Sequence, residues 1–351
     1  MLAYVLKRLL LMVPTLLGII ALTFVVIQFV PGGPVEQMVQ QLTRGDDMRG
    51  GEVAQGANIY RGNRGIDEAK LAEIRALYGF DKPPIERFWQ MLKGFAVFDL
   101  GTSFFHSKSV WGLIVEKLPV SISLGLWTFL LTYLISIPLG IAKAVRHGST
   151  FDLLTSTLIL IGYAIPGFVL GVALLVLFGG GSFWQIFPLR GLTSNGWAQM
   201  SMIDKVLDYL WHLVLPLTCM VIGSFAVTTM LTKNTVLEEI RKQYVTVARA
   251  KGLDERRVMY KHVFRNALIP IITGFPAAFI GAFFTGSLLI ETLFSLDGLG
   301  LLSYDAVMRR DYPIVMGTLY VFSLIGLLAK LINDILYVWV DPRIQFSTLD
   351  R

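Results

Sequence analysis

The sequence predicts an all-α integral membrane protein, and three observations carry that expectation. Of 351 residues, 54% are hydrophobic and only 16% are charged, whereas a soluble domain carries about 25% charged residues. Apolar runs long enough to cross a bilayer recur six times along the chain, a span needing about 20 residues. The short connections between these runs alternate between basic and neutral or acidic, and Lys and Arg resist translocation. The expected architecture is six transmembrane helices, with a long insertion after the first and a polar helical elbow between the fourth and fifth.

The first span is the run 9–30, preceded by Lys7 and Arg8. A basic start before an apolar run is also the signature of a signal peptide. This run is long enough to span, and no small-residue cleavage site follows it, so it reads as an anchor with a cytoplasmic N-terminus. It ends at Pro31-Gly-Gly-Pro34, which cannot continue a helix. Residues 1–30 form the first segment and 31–118 the insertion. The insertion has eleven basic and eleven acidic residues, and long segments translocate largely regardless of charge, so an external location fits. Its stretch 43–65 carries six glycines and reads as loop. Residues 67–78 read as a helix capped by Asp67, with a stripe of Leu71, Ile74 and Leu77 packing toward Phe88 and Trp89, stopped by Gly79.

The second span is 119–142, and the link carrying Lys143, Arg146 and His147 is basic, hence cytoplasmic. The third, 153–178, should kink at Pro166, and Gly162, Gly167 and Gly171 offer a close helix–helix face. Residues 179–210 form a balanced external loop, and 213–231 the fourth span. After the elbow come the fifth span, 267–290, an external connection with four acids and two arginines, and the sixth span, 313–340. Six crossings put both termini in the cytoplasm. Residues 119–345 make the core and 346–351 a tail.

No chemistry is apparent. There is no Gly-Lys dipeptide to start a phosphate-binding loop, no His-Glu-x-x-His and no Gly-x-Ser-x-Gly. The single cysteine, Cys219, excludes a disulfide framework, and four scattered histidines show no ligand spacing. We expect no catalytic residue, no cofactor site and no metal site. Lys330 and Asp334, four apart on the last span, read as a structural pair near the cytoplasmic end, with an ion relay as the competing reading. The net charge of +6 is no nucleic-acid footprint, because the elbow supplies five of those charges.

The elbow, 233–270, has nine basic residues against four acids. Val236, Ile240, Tyr244 and Val247 recur at helical spacing. Gly252 ends that helix, and Asp254 with Glu255 can open a second. Small residues Ala248, Ala250 and Gly252 stand at the tip, where another surface can come close. A basic amphipathic loop lying on anionic lipid is the competing reading.

Tyr244-Val-Thr-Val-Ala-Arg-Ala-Lys-Gly252-Leu253, followed by Arg265-Asn-Ala-Leu-Ile-Pro270, resembles the cytoplasmic loop of binding-protein-dependent ABC importer permeases. Thr246 stands where the wider family often has Glu, as is usual in the peptide branch. Arg8-Leu-Leu with Pro14 and Pro31-Gly-Gly-Pro34, Phe80-Asp-Lys-Pro-Pro, Asp99-Leu-Gly-Thr-Ser103, Glu291 through Gly300, Arg310-Asp-Tyr-Pro313 and Asp341-Pro-Arg-Ile344 resemble the same branch, so the resemblance covers the whole chain. Gly33 and Asp297 depart from the common Asp and Pro. The pattern is most similar to microcin-C-type peptide importers. The resemblance implies a coupling helix at about 244–262, with Thr246, Ala248, Arg249, Ala250, Lys251, Gly252 and Leu253 meeting an ATPase. It also implies a second homologous permease as heterodimer partner, cytoplasmic ABC ATPase subunits, a periplasmic peptide-binding protein, a peptide substrate and the bacterial inner membrane. A membrane channel or an ion-coupled transporter subunit is the alternative. The elbow argues against the first, and the scarcity of buried charge against the second.

Overall fold

The computed structural model describes residues 2–30, 80–179, 183–284 and 288–340. The expected helix at 67–78, its stripe of Leu71, Ile74 and Leu77, the glycine-rich stretch 43–65 and the tail 346–351 lie outside these residues. The described chain is almost entirely helical. Among the described residues, four helices are long and apolar enough to cross a membrane: Tyr4–Phe29 within α1 (Leu2–Phe29), α3 (Val110–Val145), α6 (Met202–Ile240), and Tyr312–Leu336 within α11 (Tyr312–Val340). Between α1 and α3 lies the amphipathic α2 (Pro84–Ala96).

A fifth apolar stretch is broken. Helix α4 (Thr150–Ala164) and α5 (Gly167–Leu174), which runs on as a π-helix Leu175–Gly179, meet at Ile165–Pro166 with an 89° bend. A proline that removes one helical hydrogen bond explains a break but not so large an angle. The rest comes from packing. A Cβ on Gly162 would stand 2.9 Å from Ile222, one on Gly167 2.7 Å from the Cys219 carbonyl, and one on Gly171 2.6 Å from Leu293. The three glycines therefore form the close face the sequence suggested, Gly162 and Gly167 against α6 and Gly171 chiefly against Leu293. Downstream come α7 (Gln243–Ala250), α8 (Ile269–Phe284), α9 (Leu288–Leu293) and α10 (Leu299–Arg309).

The chain packs as two units. In the first (residues 2–8, 117–302 and 325–340 of the described chain) one core gathers Leu124 of α3, Leu175, the α6 residues Leu213, Leu217 and Cys219, and Ile290 and Phe294. Its basic end holds a buried charge cluster. Lys143 is 0% exposed and Asp152 3%. The Lys143 ammonium donates to the Asp152 carboxylate at 3.2 Å, to the Asp152 backbone carbonyl at 3.0 Å, to Thr155 at 2.6 Å and to Ser156 at 2.8 Å. Lys233 of α6 reaches the same carboxylate at 2.7 Å. Lys143 is thus not part of an exposed basic link, as its neighbours suggested; a charge carried into the protein is held by a partner and hydrogen bonds. Asp334 accepts from Tyr4 at 3.0 Å and Arg8 at 3.2 Å, both on α1, while Lys330 is exposed. The expected Lys330–Asp334 pair does not form, because a nearer guanidinium takes the carboxylate.

In the second unit (residues 9–116 and 303–324), Phe95 of α2 packs on Tyr320 of α11 with ring centres 4.9 Å apart, and the Tyr320 hydroxyl donates to the Phe95 carbonyl. Phe88 meets Phe24 of α1, and Trp89 is exposed. Two of the motifs noted in the sequence meet here: Ser103 donates to Asp311, which also accepts from the Phe104 amide at 3.2 Å.

Candidate functional site: the basic elbow

Helix α6 ends at Ile240, and Lys242, in extended conformation, starts α7 at Gln243. The break divides the stripe read from the sequence. Val236 is buried, but Tyr244 and Val247 are exposed, and Val245 and Ala248 turn inward instead. They pack with Val258, Val263 and Ala267 of the second arm, with Ala144 of α3 and with Val236 of α6. An eight-residue helix alone would be marginal in water; this one is held by its buried face.

The tip is a Schellman stop. The Gly252 amide donates to the Arg249 carbonyl at 2.9 Å and the Leu253 amide to the Ala248 carbonyl at 3.4 Å, the two bonds that motif requires. Gly252 has φ +78°, and nothing lies within 4 Å of where its Cβ would be. Leu253 packs back onto the core of the elbow, the apolar contact that accompanies such stops. Asp254 then caps the second arm, its carboxylate accepting from the Arg256 amide at 3.2 Å. That arm runs through Glu255–Arg257, a π-helix Val258–Phe264 and Arg265–Ala267.

Two polar braces hold the arms. Arg249 and Glu255 pair through two bonds, at 3.0 and 2.6 Å, and the guanidinium holds the Glu255 carboxyl below its usual range. At the other end Glu239 accepts from Lys242 and from the Tyr244 hydroxyl. Tyr244 in turn accepts from Asn266 at 3.0 Å. Burial first, and the Glu239 carboxylate next, push the Tyr244 hydroxyl above its ordinary value; the same carboxylate raises Lys242.

Of the residues named from the sequence, Thr246, Arg249, Ala250, Lys251 and Gly252 are exposed on the outer face. Leu253 is half-buried and Ala248 is buried, so those two support the tip rather than face outward. The reading put Val247, 52% exposed, in an apolar stripe and missed Tyr260, 74% exposed; both add apolar surface to the outer face. It also missed the Glu239, Tyr244 and Asn266 brace, for which the only sequence signal is polar residues flanking a helix break.

The outer face carries no hydrolytic or phosphate-cradling arrangement. It offers a small, basic, rigidly stopped helix with room above Gly252, which suits docking and not catalysis. Comparison with known proteins identifies the family. Residues 136–346 match the family described as binding-protein-dependent transport system inner membrane component. The chain is 54% identical to the peptidoglycan transport system permease protein YejB of Agrobacterium fabrum over 99% of both chains. It is 52% identical to the inner membrane ABC transporter permease protein YejB of Escherichia coli O157:H7, over 98% of this chain and 99% of that one. It is 32% identical to the dipeptide transport system permease protein DppB of Escherichia coli K12, over 98% and 99%. With a family match across more than half its length and relatives aligned end to end, the chain belongs to the binding-protein-dependent transport system inner membrane components, as a multi-pass, non-catalytic permease subunit of an ATP-driven importer.

Proposed function

We propose that this chain forms half of a pore that passes peptides from periplasm to cytoplasm, with a second homologous permease as the other half. The observation that carries the coupling role is the elbow. Its inner face is fixed to α3 and α6, and its outer face presents Thr246, Ala250, Lys251 and Gly252. ATP binding in separate cytoplasmic ABC ATPase subunits closes them, pulls on this face, and rocks the helices between outward and inward states. Arg249 acts within the set by bracing the tip, and Ala248 and Leu253 by packing beneath it.

In this reading α8 with α9 supplies the remaining crossing, giving six spans with both termini cytoplasmic in the inner membrane. Residues 119–345 are the permease core, and the insertion 31–118 is periplasmic, facing a peptide-binding protein. The peptide class is supported by the dipeptide and peptidoglycan transport named for the relatives; peptidoglycan-derived and microcin-C-type peptides are the first substrates to test.

Cross-linking tests the docking. In the copurified complex, with Cys219 replaced, a cysteine at Ala250 should cross-link to the ATPase, and one at the buried Val245 should not. Absence of any ATPase adduct at residue 250 would remove the elbow as the contact.

A further inference from the structure

At the base of the elbow lies a groove of about 1170 Å³. It runs between the end of α6, the second arm and the start of α8, all within the first packing unit. Its walls change character along the chain. Glu238, Glu239 and Lys242 of the α6 side face Lys261, His262 and Arg265 of the second arm. Past these the lining turns apolar, with Ile269, Pro270 and Ile272. None of the outer-face residues Thr246, Ala250, Lys251 and Gly252 lines the groove, so it is a surface separate from the tip.

The charge in the groove is unbalanced. Glu239 is taken by Lys242 and by the Tyr244 hydroxyl. Lys261 and Arg265 are exposed, and neither forms an ion pair among the described residues. Glu238 is the one lining carboxylate left against them, and it leans toward Lys242 at 4.0 Å. Two open cations four residues apart thus line one groove and call for an anion. The apolar wall says which kind. Arg265 and Ile272 are seven residues apart, about 10 Å along a helix, and the headgroup layer on each side of the hydrocarbon is about 5–8 Å thick. With the basic pair at headgroup level, the apolar wall falls among acyl chains. Ile272, 39% exposed, and Phe275, 41% exposed, carry that surface on along α8. A small anion would use the charged end and leave the apolar wall unused; an amphiphile uses both.

We propose that this groove holds an anionic phospholipid of the cytoplasmic leaflet, its phosphate between Lys261 and Arg265 and an acyl chain along Ile269, Ile272 and Phe275. The Arg265 guanidinium takes two phosphate oxygens at once, and Lys261 adds a point charge. Basic pockets between helices on the cytoplasmic side bind such headgroups. The lipid anchors the base of the elbow to the membrane and leaves the tip free for its partner. The proposal rests on the orientation proposed above only for the choice of leaflet. Labelling of residue 255 from outside would change the leaflet and leave the bound lipid as it is.

The test uses the copurified importer in lipid discs of equal parts phosphatidylglycerol and phosphatidylcholine. Native mass spectrometry reads the last lipid to leave as collision energy rises. For wild type this should be phosphatidylglycerol. Lys261→Gln and Arg265→Gln should each lower that adduct about fivefold, the weight of one basic residue at an anionic leaflet. The swap Lys261→Arg with Arg265→Lys keeps both charges and should keep the lipid. Arg256→Gln with Arg257→Gln removes two exposed cations of the same arm that do not line the groove, and should keep it too. Retention of phosphatidylcholine as readily as phosphatidylglycerol, or no loss in either groove variant, would overturn the site. Equal loss in the Arg256 and Arg257 variant would replace it with general basicity. Displacement of the lipid by inorganic phosphate, with Ile272→Asn retaining it normally, would make the ligand a free anion. Displacement by an acidic tripeptide and not by a neutral one would make the groove part of the peptide path instead.

Discussion

Gly252 lets the role of the elbow be split into backbone and surface. With φ +78° and no atom within 4 Å of a built Cβ, replacement by alanine meets no clash inside the chain. Its cost is conformational, about 1 kcal/mol for placing a non-glycine residue in the left-handed region. That loosens the Schellman stop about fivefold, since 1.4 kcal/mol is a factor of ten. Asparagine tolerates the same region and should leave the stop nearly intact. Hydrogen exchange on the purified complex reads this directly: the Gly252→Ala variant should lose about fivefold protection at the amides of residues 252 and 253, and Gly252→Asn little. Uptake then separates the effects. Gly252→Asp also tolerates the backbone but adds bulk and negative charge at the open tip, so it should insert normally, keep its exchange protection and lose ATP-driven uptake. Unchanged protection in Gly252→Ala would refute the energetic argument. Normal uptake by Gly252→Asp would refute the docking assignment.

The other predictions are briefer. A cysteine at Asn195 should react with an impermeant thiol reagent from outside and one at Glu255 should not; the native thiol, Cys219, is buried and silent. External labelling at 255 would reverse the proposed orientation. Lys143→Met removes one of two cations from a carboxylate that is 4% exposed, so stability should fall by about 3 kcal/mol, the low end for breaking a buried pair because Lys233 remains. Thermal denaturation followed by size exclusion would show it as a clear loss of heat resistance, and an unchanged profile would mean that Lys233 alone satisfies Asp152. The purified chain without its partners should neither bind nor hydrolyse ATP, and saturable nucleotide binding to it would contradict a non-catalytic subunit.

The local signals in this sequence were strong where one residue dictates one conformation. Gly252 and Asp254 announced the stop and the restart of the elbow, and Pro166 announced the break in the third apolar stretch. What the residues did not announce depends on partners far along the chain. The 89° bend needs the Cys219 carbonyl and Leu293 side chain against Gly167 and Gly171, contacts that periodicity does not encode. Lys143 counts as a loop charge until α4 folds back and offers Asp152, Thr155 and Ser156 together. Asp334 has a lysine four residues away, yet its partners come from α1. The stripe from Val236 to Val247 looked continuous because helical spacing survives one extended residue in the sequence but not in space. In the elbow, the residues on the outer face were legible from motif, while the brace of Glu239, Tyr244 and Asn266 was not.

The shared carboxylate of Asp152 has a mechanical consequence. It ties α3 through Lys143 and α6 through Lys233 to the first turn of α4. A pull delivered at the elbow therefore loads three helices at once, like a yoke, instead of bending one of them. Compliance must then sit where no charge or hydrogen bond spans the gap, and the uncapped joint at Ile165–Pro166 is such a place. Displacement applied at the basic end would emerge there as rotation of α5 against α6, at the wall of the cavity that Pro166 and Gly167 line.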